Sequence, residues 1–419
     1  MTRPLLRLAR WAKRPLEQFL LIEAASGIVL LIAAGVALVW ANSRWADDYV
    51  ALWHTAVGVR LGSFSFERPL EWVVNDGLMV IFFFVVGLEI KRELHHGELS
   101  TWRRATLPFA AAVGGMAAPA LLYLALAGGA ATRHGWGVPM ATDIAFAVGV
   151  LMLLGPRVPA AMRVLLLALA VIDDLGAIVV IALFYSSGLV LAGLGVAVLG
   201  VAGVFVLRAL GVRRPLIYAL PALVAWGGTY AAGIHPTIAG VIIGLCTPVA
   251  PWLDPDGHEV ESPAEDLIDA MHPWVSFVIM PIFALANAGV ALDGLHLDGT
   301  SSVVAIAVAV GLVIGKPLGV LAACALVLKL GVATLPRGLG IRHLIVLGVV
   351  AGIGFTMALF VAQLAFTEPA LLGAAKLGIL GASAVAIALG LVAGRLLLPR
   401  DHGPGVAATA DEAEASTEQ

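Results

Sequence analysis

Charge is scarce in this sequence: Asp, Glu, Lys and Arg make up 13% of its 419 residues, where an ordinary soluble domain carries about 25%. With 60% hydrophobic residues and a mean hydropathy of +0.98, that deficit excludes a soluble globular domain. A basic surplus is missing as well. The formal net charge is -3, so nothing supplies the electrostatic footprint that a nucleic-acid partner requires. Cysteine is limited to Cys246 and Cys324, each inside an apolar run. This argues against a disulfide framework and leaves both as small packing residues. The basic N-terminus leads into an apolar run over Phe19–Trp40, which lacks a small-residue cleavage site and therefore reads as a retained helix, not a removed signal.

What the sequence does have is apolar runs long enough to cross a bilayer, for which about 20 residues suffice. They fall at 19–40, 70–90, 105–127, 138–155, 161–185, 189–207, 216–231, 234–250, 273–292, 303–328, 343–366 and 370–398. The expected fold is an all-α polytopic membrane protein of about twelve transmembrane helices, surrounded by lipid. A twelve-helix domain over 19–398 follows a basic N-terminus (1–18) and precedes a disordered tail (399–419) too poor in apolar residues to fold. An even count puts both termini on one side. Counting Lys and Arg in alternate loops gives nineteen on the side of the termini and four (Arg44, Arg60, Arg68 and Arg133) on the other. The positive-inside rule makes the nineteen cytoplasmic. Residues 251–272 read as an inner loop with acids but no Lys or Arg, which weighs little in that rule. Residues 41–69 read as an interfacial outer loop with short strand or helix structure, and are a candidate oligomer contact.

A charged side chain at the bilayer centre costs at least about 2.5–3.5 kcal/mol, so those found there are expected to function. Asp143 follows Thr142 in a segment interrupted by Gly135, Gly137, Pro139 and Gly149. Spans of that kind are where transporters break a helix so that dipole ends meet charge; the alternative is a helix cap near the interface. Asp173 and Asp174 are adjacent, so on a helix their side chains diverge by about 100°. One can face an aqueous cavity while the other faces a neighbouring helix. Oxygen ligands suit a hard cation such as sodium, and a carboxylate pair can hold either that ion or protons, which is the physical basis of antiport. Lys316, deep in the tenth segment, is expected to have a carboxylate partner, with Asp173 and Asp143 the candidates; the alternative is snorkelling to an interface, which the mid-segment position disfavours.

The eleventh segment contains Gly352, Gly354 and Phe355, where the backbone can unwind. Segments three to five and ten to twelve thus each carry an interrupted middle helix, the pattern of inverted-topology repeats with two broken, crossed helices. Asp143 would offset the positive helix ends there and Lys316 the negative ones. Asp76 is a further intramembrane acid. Glu89, Arg92, Glu93 and His235 are candidates for a cytoplasmic funnel or pH response; for the acids and Arg92 the plainer reading is a solvated charged loop. His235 and His272 can titrate near neutral pH, and for each the plainer reading is a satisfied polar residue at a helix end.

Five strings, Val86–Leu94, Ala141–Ala147, Ile172–Ile178, Gly315–Gly319 and Gly352–Met357, occur in the order found in the bacterial NhaA sodium/proton antiporters, which the chain resembles from about residue 17 to 398. Inverted repeats are known for that family, so the repeat argument and the resemblance are not independent. The resemblance implies exchange of sodium or lithium for protons in the bacterial inner membrane, electrogenic and serving sodium and pH homeostasis, with no cofactor and no organic substrate. It implies Asp174 as principal ion ligand, aided by Asp173 and Thr142, a Lys316–Asp173 pair in the empty site, and a homodimer. One departure stands out. Members shut down at acidic pH carry a basic pair and a Glu-His pair just before the His-Pro-Trp that here is His272–Trp274, where this chain has Glu265-Asp266 and Ile268-Asp269. A shifted or less steep pH activation is expected.

Rival readings are a sodium-coupled organic-anion symporter, which would need a substrate cavity, and a channel, which buried charge pairing disfavours. An intramembrane aspartyl protease would carry Gly before a catalytic Asp, and none of the intramembrane Asp residues here is so preceded.

Overall fold

Backbone surrounded by lipid must satisfy its own hydrogen bonds, and this chain does so almost entirely as helix. The computed structural model describes residues 22–23, 25–62, 64–186, 188–212, 214–249, 252–253, 259–260, 262–292 and 299–399. The basic N-terminus at 1–18, most of the acidic stretch 251–261 and the tail beyond 399 lie outside the described residues.

Helix α1 (Ala25–Ala41) turns through 114° into the short α2 (Ala46–His54). Asn42 fixes the elbow by donating to the carbonyls of Leu38 (2.8 Å) and Val290 (2.7 Å). An antiparallel hairpin follows, β1 (Ala56–Leu61) against β2 (Phe64–Pro69), with Ala56 opposite Pro69. The stretch at 41–69 is thus half helix and half hairpin. Then come α3 (Leu70–His96), α4 (Trp102–Ala127), a 3-10 helix at Arg133–Met140, and α5 (Ile144–Leu153). Next are α6 (Ala160–Phe184), α7 (Leu191–Ala209), α8 (Pro215–Ala231) and α9 (Thr237–Cys246). Helices α10 (Pro263–Asn287) and α11 (Gly299–Lys329) precede α12 (Ile341–Ala351), α13 (Phe355–Ala365) and α14 (Pro369–Leu397).

Each of the twelve expected segments contains helix among the described residues, but length is uneven. Eight helices among the described residues are long and apolar enough to cross a membrane, ten if each bent pair counts as one, while α8 and α9 are shorter. One boundary is corrected. The segment expected to begin at 273 begins at Pro263, so the second half of the expected 251–272 loop is helix. The reason is local: Ser262 caps the end by accepting from the Glu265 N–H (3.2 Å), Pro263 occupies the first turn, and Glu265 and Asp266 complement the positive helix end. Ala264, Ile268 and His272, spaced by four, bury one face.

The two helix triplets, α4 to α6 and α11 to α14, each hold their interruption in the middle element. In the first, the chain is extended between Met140 and Ile144; in the second, α12 and α13 bend by 46° at a break. Glycine is required at the second break, because a Cβ on Gly352 would stand 2.6 Å from the Leu312 carbonyl oxygen. Proline shapes two further helices. Pro317 and Pro281 lack an N–H and crowd the carbonyl four residues back, and each is preceded by a π-helical turn, Gly311–Gly315 and Val275–Ile279. Lys316 sits where the first of these widened turns ends, and it is among the largest side chains buried completely.

Candidate functional site

The two breaks meet edge to edge. The Asp143 N–H donates to the Ile353 carbonyl at 2.7 Å, so each break satisfies part of the other. Asp143 caps α5 through the Phe146 N–H (3.1 Å) and also accepts the Thr356 N–H (3.0 Å) and hydroxyl at the start of α13. One carboxylate therefore serves the positive ends of both half-helices. The cap alternative was right about the hydrogen bond but not about position, because Asp143 is 2% exposed at the junction of the breaks. At the negative ends, Lys316 Nζ donates to the Met140 carbonyl and the Thr142 hydroxyl to the Ala351 carbonyl (3.0 Å). Phe355 N–H is taken by the Ser383 hydroxyl at 3.2 Å.

The adjacent aspartates are separated as their helical angle requires. Asp173 Oδ2 receives Lys316 Nζ at 2.6 Å and the Thr142 hydroxyl at 2.7 Å. Asp174 points the other way, into a cavity of about 60 Å³ that it shares with Glu23, Glu89, Asp143, His272 and Thr356. Asp173 Oδ1 and Asp174 Oδ1 are buried with no hydrogen-bond partner among the described residues. Buried carboxylate oxygens of that kind require a proton or a cation, and oxygen donors suit a small hard cation. The cavity is far below the roughly 300 Å³ at which organic-ligand pockets begin.

These features are the ones expected of the five motif strings, and comparison with known proteins decides what they belong to. The family model described as Na+/H+ antiporter 1 matches residues 17–393. The chain belongs to that antiporter family. A relative from Myxococcus xanthus, Na(+)/H(+) antiporter NhaA 2, is 61% identical over 99% of this chain and 96% of its own length. One of the same name from Sorangium cellulosum is 53% identical over 99% and 97%. The NhaA antiporter of Acidovorax sp. is 54% identical over 89% of each.

Within this antiporter fold the other expected residues scatter. Glu89 joins the cavity wall, 3.8 Å from His272, which in turn is 2.8 Å from Glu23. Arg92 acts on Glu89 electrostatically, while Glu93 closes the following turn by accepting the Glu98 N–H at 3.0 Å. His235 does not belong with them. It pairs with Asp76 at 3.6 Å, and Asp76 lies thirteen residues from Glu89 on α3, about 20 Å along the axis. The physical reason is topological: Gly233, at φ +76°, turns the chain between α8 and α9 at the opposite end of the bundle from the Arg208 and Arg214 loop.

Glu23, His272, Thr356 and Ser383 were missed as site residues. Glu23 was detectable as an acid inside the first apolar segment. His272 had only the signal of a helix-end histidine, because its carboxylate partners come from α3 and the start of the chain. Nothing in the sequence marks Ser383.

Proposed function

We propose that this antiporter exchanges sodium or lithium for protons at Asp174 by alternating access, in a bacterial inner membrane with both termini cytoplasmic. The observation that carries the reading is the division of the aspartate pair. Asp173 is held through one oxygen by Lys316 and Thr142, while Asp174, with a buried oxygen unpartnered among the described residues, lines the cavity it shares with Glu23, Glu89 and His272. Sodium entering past Glu89 displaces protons from this group, and the Lys316–Asp173 pair is released as Asp173 and Thr142 join the ion. The two triplets then move against the remaining helices, the site opens outward, sodium leaves and protons reload it. Asp143 stays with the two half-helix ends it caps. Transport of more protons than sodium ions makes the cycle electrogenic, with the membrane potential driving sodium out. The β1–β2 hairpin, with Val57 and Val59 exposed, is the contact we assign to a homodimer.

The test is sodium-induced proton release in everted vesicles. Asp174→Asn removes the exchangeable charge and is expected to abolish the signal; sodium-dependent exchange that survives the substitution would exclude Asp174 as the ligand.

A further inference from the structure

A partly buried polar network at the other end of the bundle, centred on Asn287, takes no part in the site described above. Gln363, near the end of α13, donates from Nε2 to Glu71 Oε1 of α3 at 3.2 Å and to Asn287 Oδ1 of α10. Asn287 is fully buried and donates to Asn75 Oδ1 at 2.8 Å. Glu71 precedes Glu89 by eighteen residues on α3, about 27 Å along the axis, which nearly equals the hydrocarbon thickness of about 30 Å. The network therefore lies toward the outer face when the Glu89 cavity lies toward the cytoplasm.

Helix α13 connects the two. Met357 lines the cavity. One turn on, Phe360 packs against Phe83 (5.2 Å) and Phe283 (6.2 Å between ring centroids). One further turn on comes Gln363. We infer that Gln363 is a positioning residue of the transport cycle: its amide ties a triplet helix to α3 and α10 over the Phe360 layer and holds the outward route shut until it lets go. The inference rests on the alternating-access reading above. Nothing else on α13 bonds through its side chain to those two helices among the described residues, so outward opening between these units has to part this connection.

The measurement is the apparent KM for sodium in everted and in right-side-out vesicles. An apparent dissociation constant scales inversely with the population of the competent state, so the ratio of the two KM values follows the inward-outward equilibrium. Gln363→Leu removes the donor of both bonds at similar volume and is expected to raise the cytoplasmic-to-external KM ratio roughly tenfold, the scale of losing the two hydrogen bonds together. Glu71→Ala leaves the amide–amide bonds and shifts the ratio the same way by a smaller factor. A purely structural role would lower the amount of protein and the rate on both sides without moving the ratio. An unchanged ratio in variants present in the membrane overturns the latch. If Gln363→Leu does not accumulate, Glu71→Ala, at the half-buried rim, decides alone. Absence of sodium-dependent proton movement in the unmodified protein would overturn the exchange reading and the latch with it.

Discussion

Replacing Lys316 by Met isolates the central ion pair. Neither Lys316 nor Asp173 reaches solvent, and the pair is 2.6 Å apart. Breaking a buried pair from one side costs about 3–5 kcal/mol, because the remaining charge is left without compensation. Two details place the expected value near the lower end, at about 3 kcal/mol. Asp173 keeps the Thr142 hydroxyl at 2.7 Å, and a carboxylate can take up a proton when its partner is gone. Loss of the donor to the Met140 carbonyl adds about 1 kcal/mol. The assay is thermal unfolding of the purified protein in detergent, followed by tryptophan fluorescence, for Lys316→Met, Asp173→Asn and the double variant. A buried pair replaced on both sides is often close to neutral, so the double variant is expected to be more stable than Lys316→Met alone. If the double variant is less stable than either single one, or Lys316→Met unfolds like the parent protein, the pair is not the constraint the geometry describes.

Three further outcomes follow from the same geometry. Asp143→Ala strips the acceptor from the Phe146 N–H and from both Thr356 donors, a loss of about 3 kcal/mol at roughly 1 kcal/mol per bond; thermal unfolding should show it exceeding Thr356→Ala clearly, and equal effects would count against the double-capping role. Gly352→Val places a side chain against the Leu312 carbonyl, 2.6 Å from its Cβ, so membrane abundance, measured with a fluorescent fusion, should fall sharply, whereas normal levels would show that the breaks can separate. Exchanging Glu265-Asp266 for Lys-Arg reverses the charge in the first turn of α10, at about 0.3–1 kcal/mol per helix-end charge; the pH profile of exchange should move while the maximal rate stays, and an unmoved profile would remove this turn from the pH response.

Asp143, Asp173, Asp174 and Lys316 were legible because charge inside an apolar run is costly wherever the chain folds. The helix breaks were legible for a related reason, since Gly and Pro disrupt helical hydrogen bonding independently of context. Local capping at Ser262-Pro263 was also present in the sequence, but the low hydropathy of the acidic turn hid the first ten residues of α10. His235 was misplaced because a sequence position does not say which end of a bundle a turn occupies.

By itself, then, the sequence determined the solvent, the helices, the breaks in them and the set of charges that must find partners. Both physical causes act over a few residues: the transfer cost of a side chain and the conformational range of a backbone. Only the tertiary structure decided the pairing. Lys316 takes Asp173 and not Asp143 because the π-helical turn ahead of Pro317 places its ammonium beside Met140 and Asp173, while Asp143 is already committed to Phe146 and Thr356. Glu23 and His272 reach the cavity from helices about 250 residues apart in sequence. Such contacts depend on side-chain direction after packing, which no local pattern encodes.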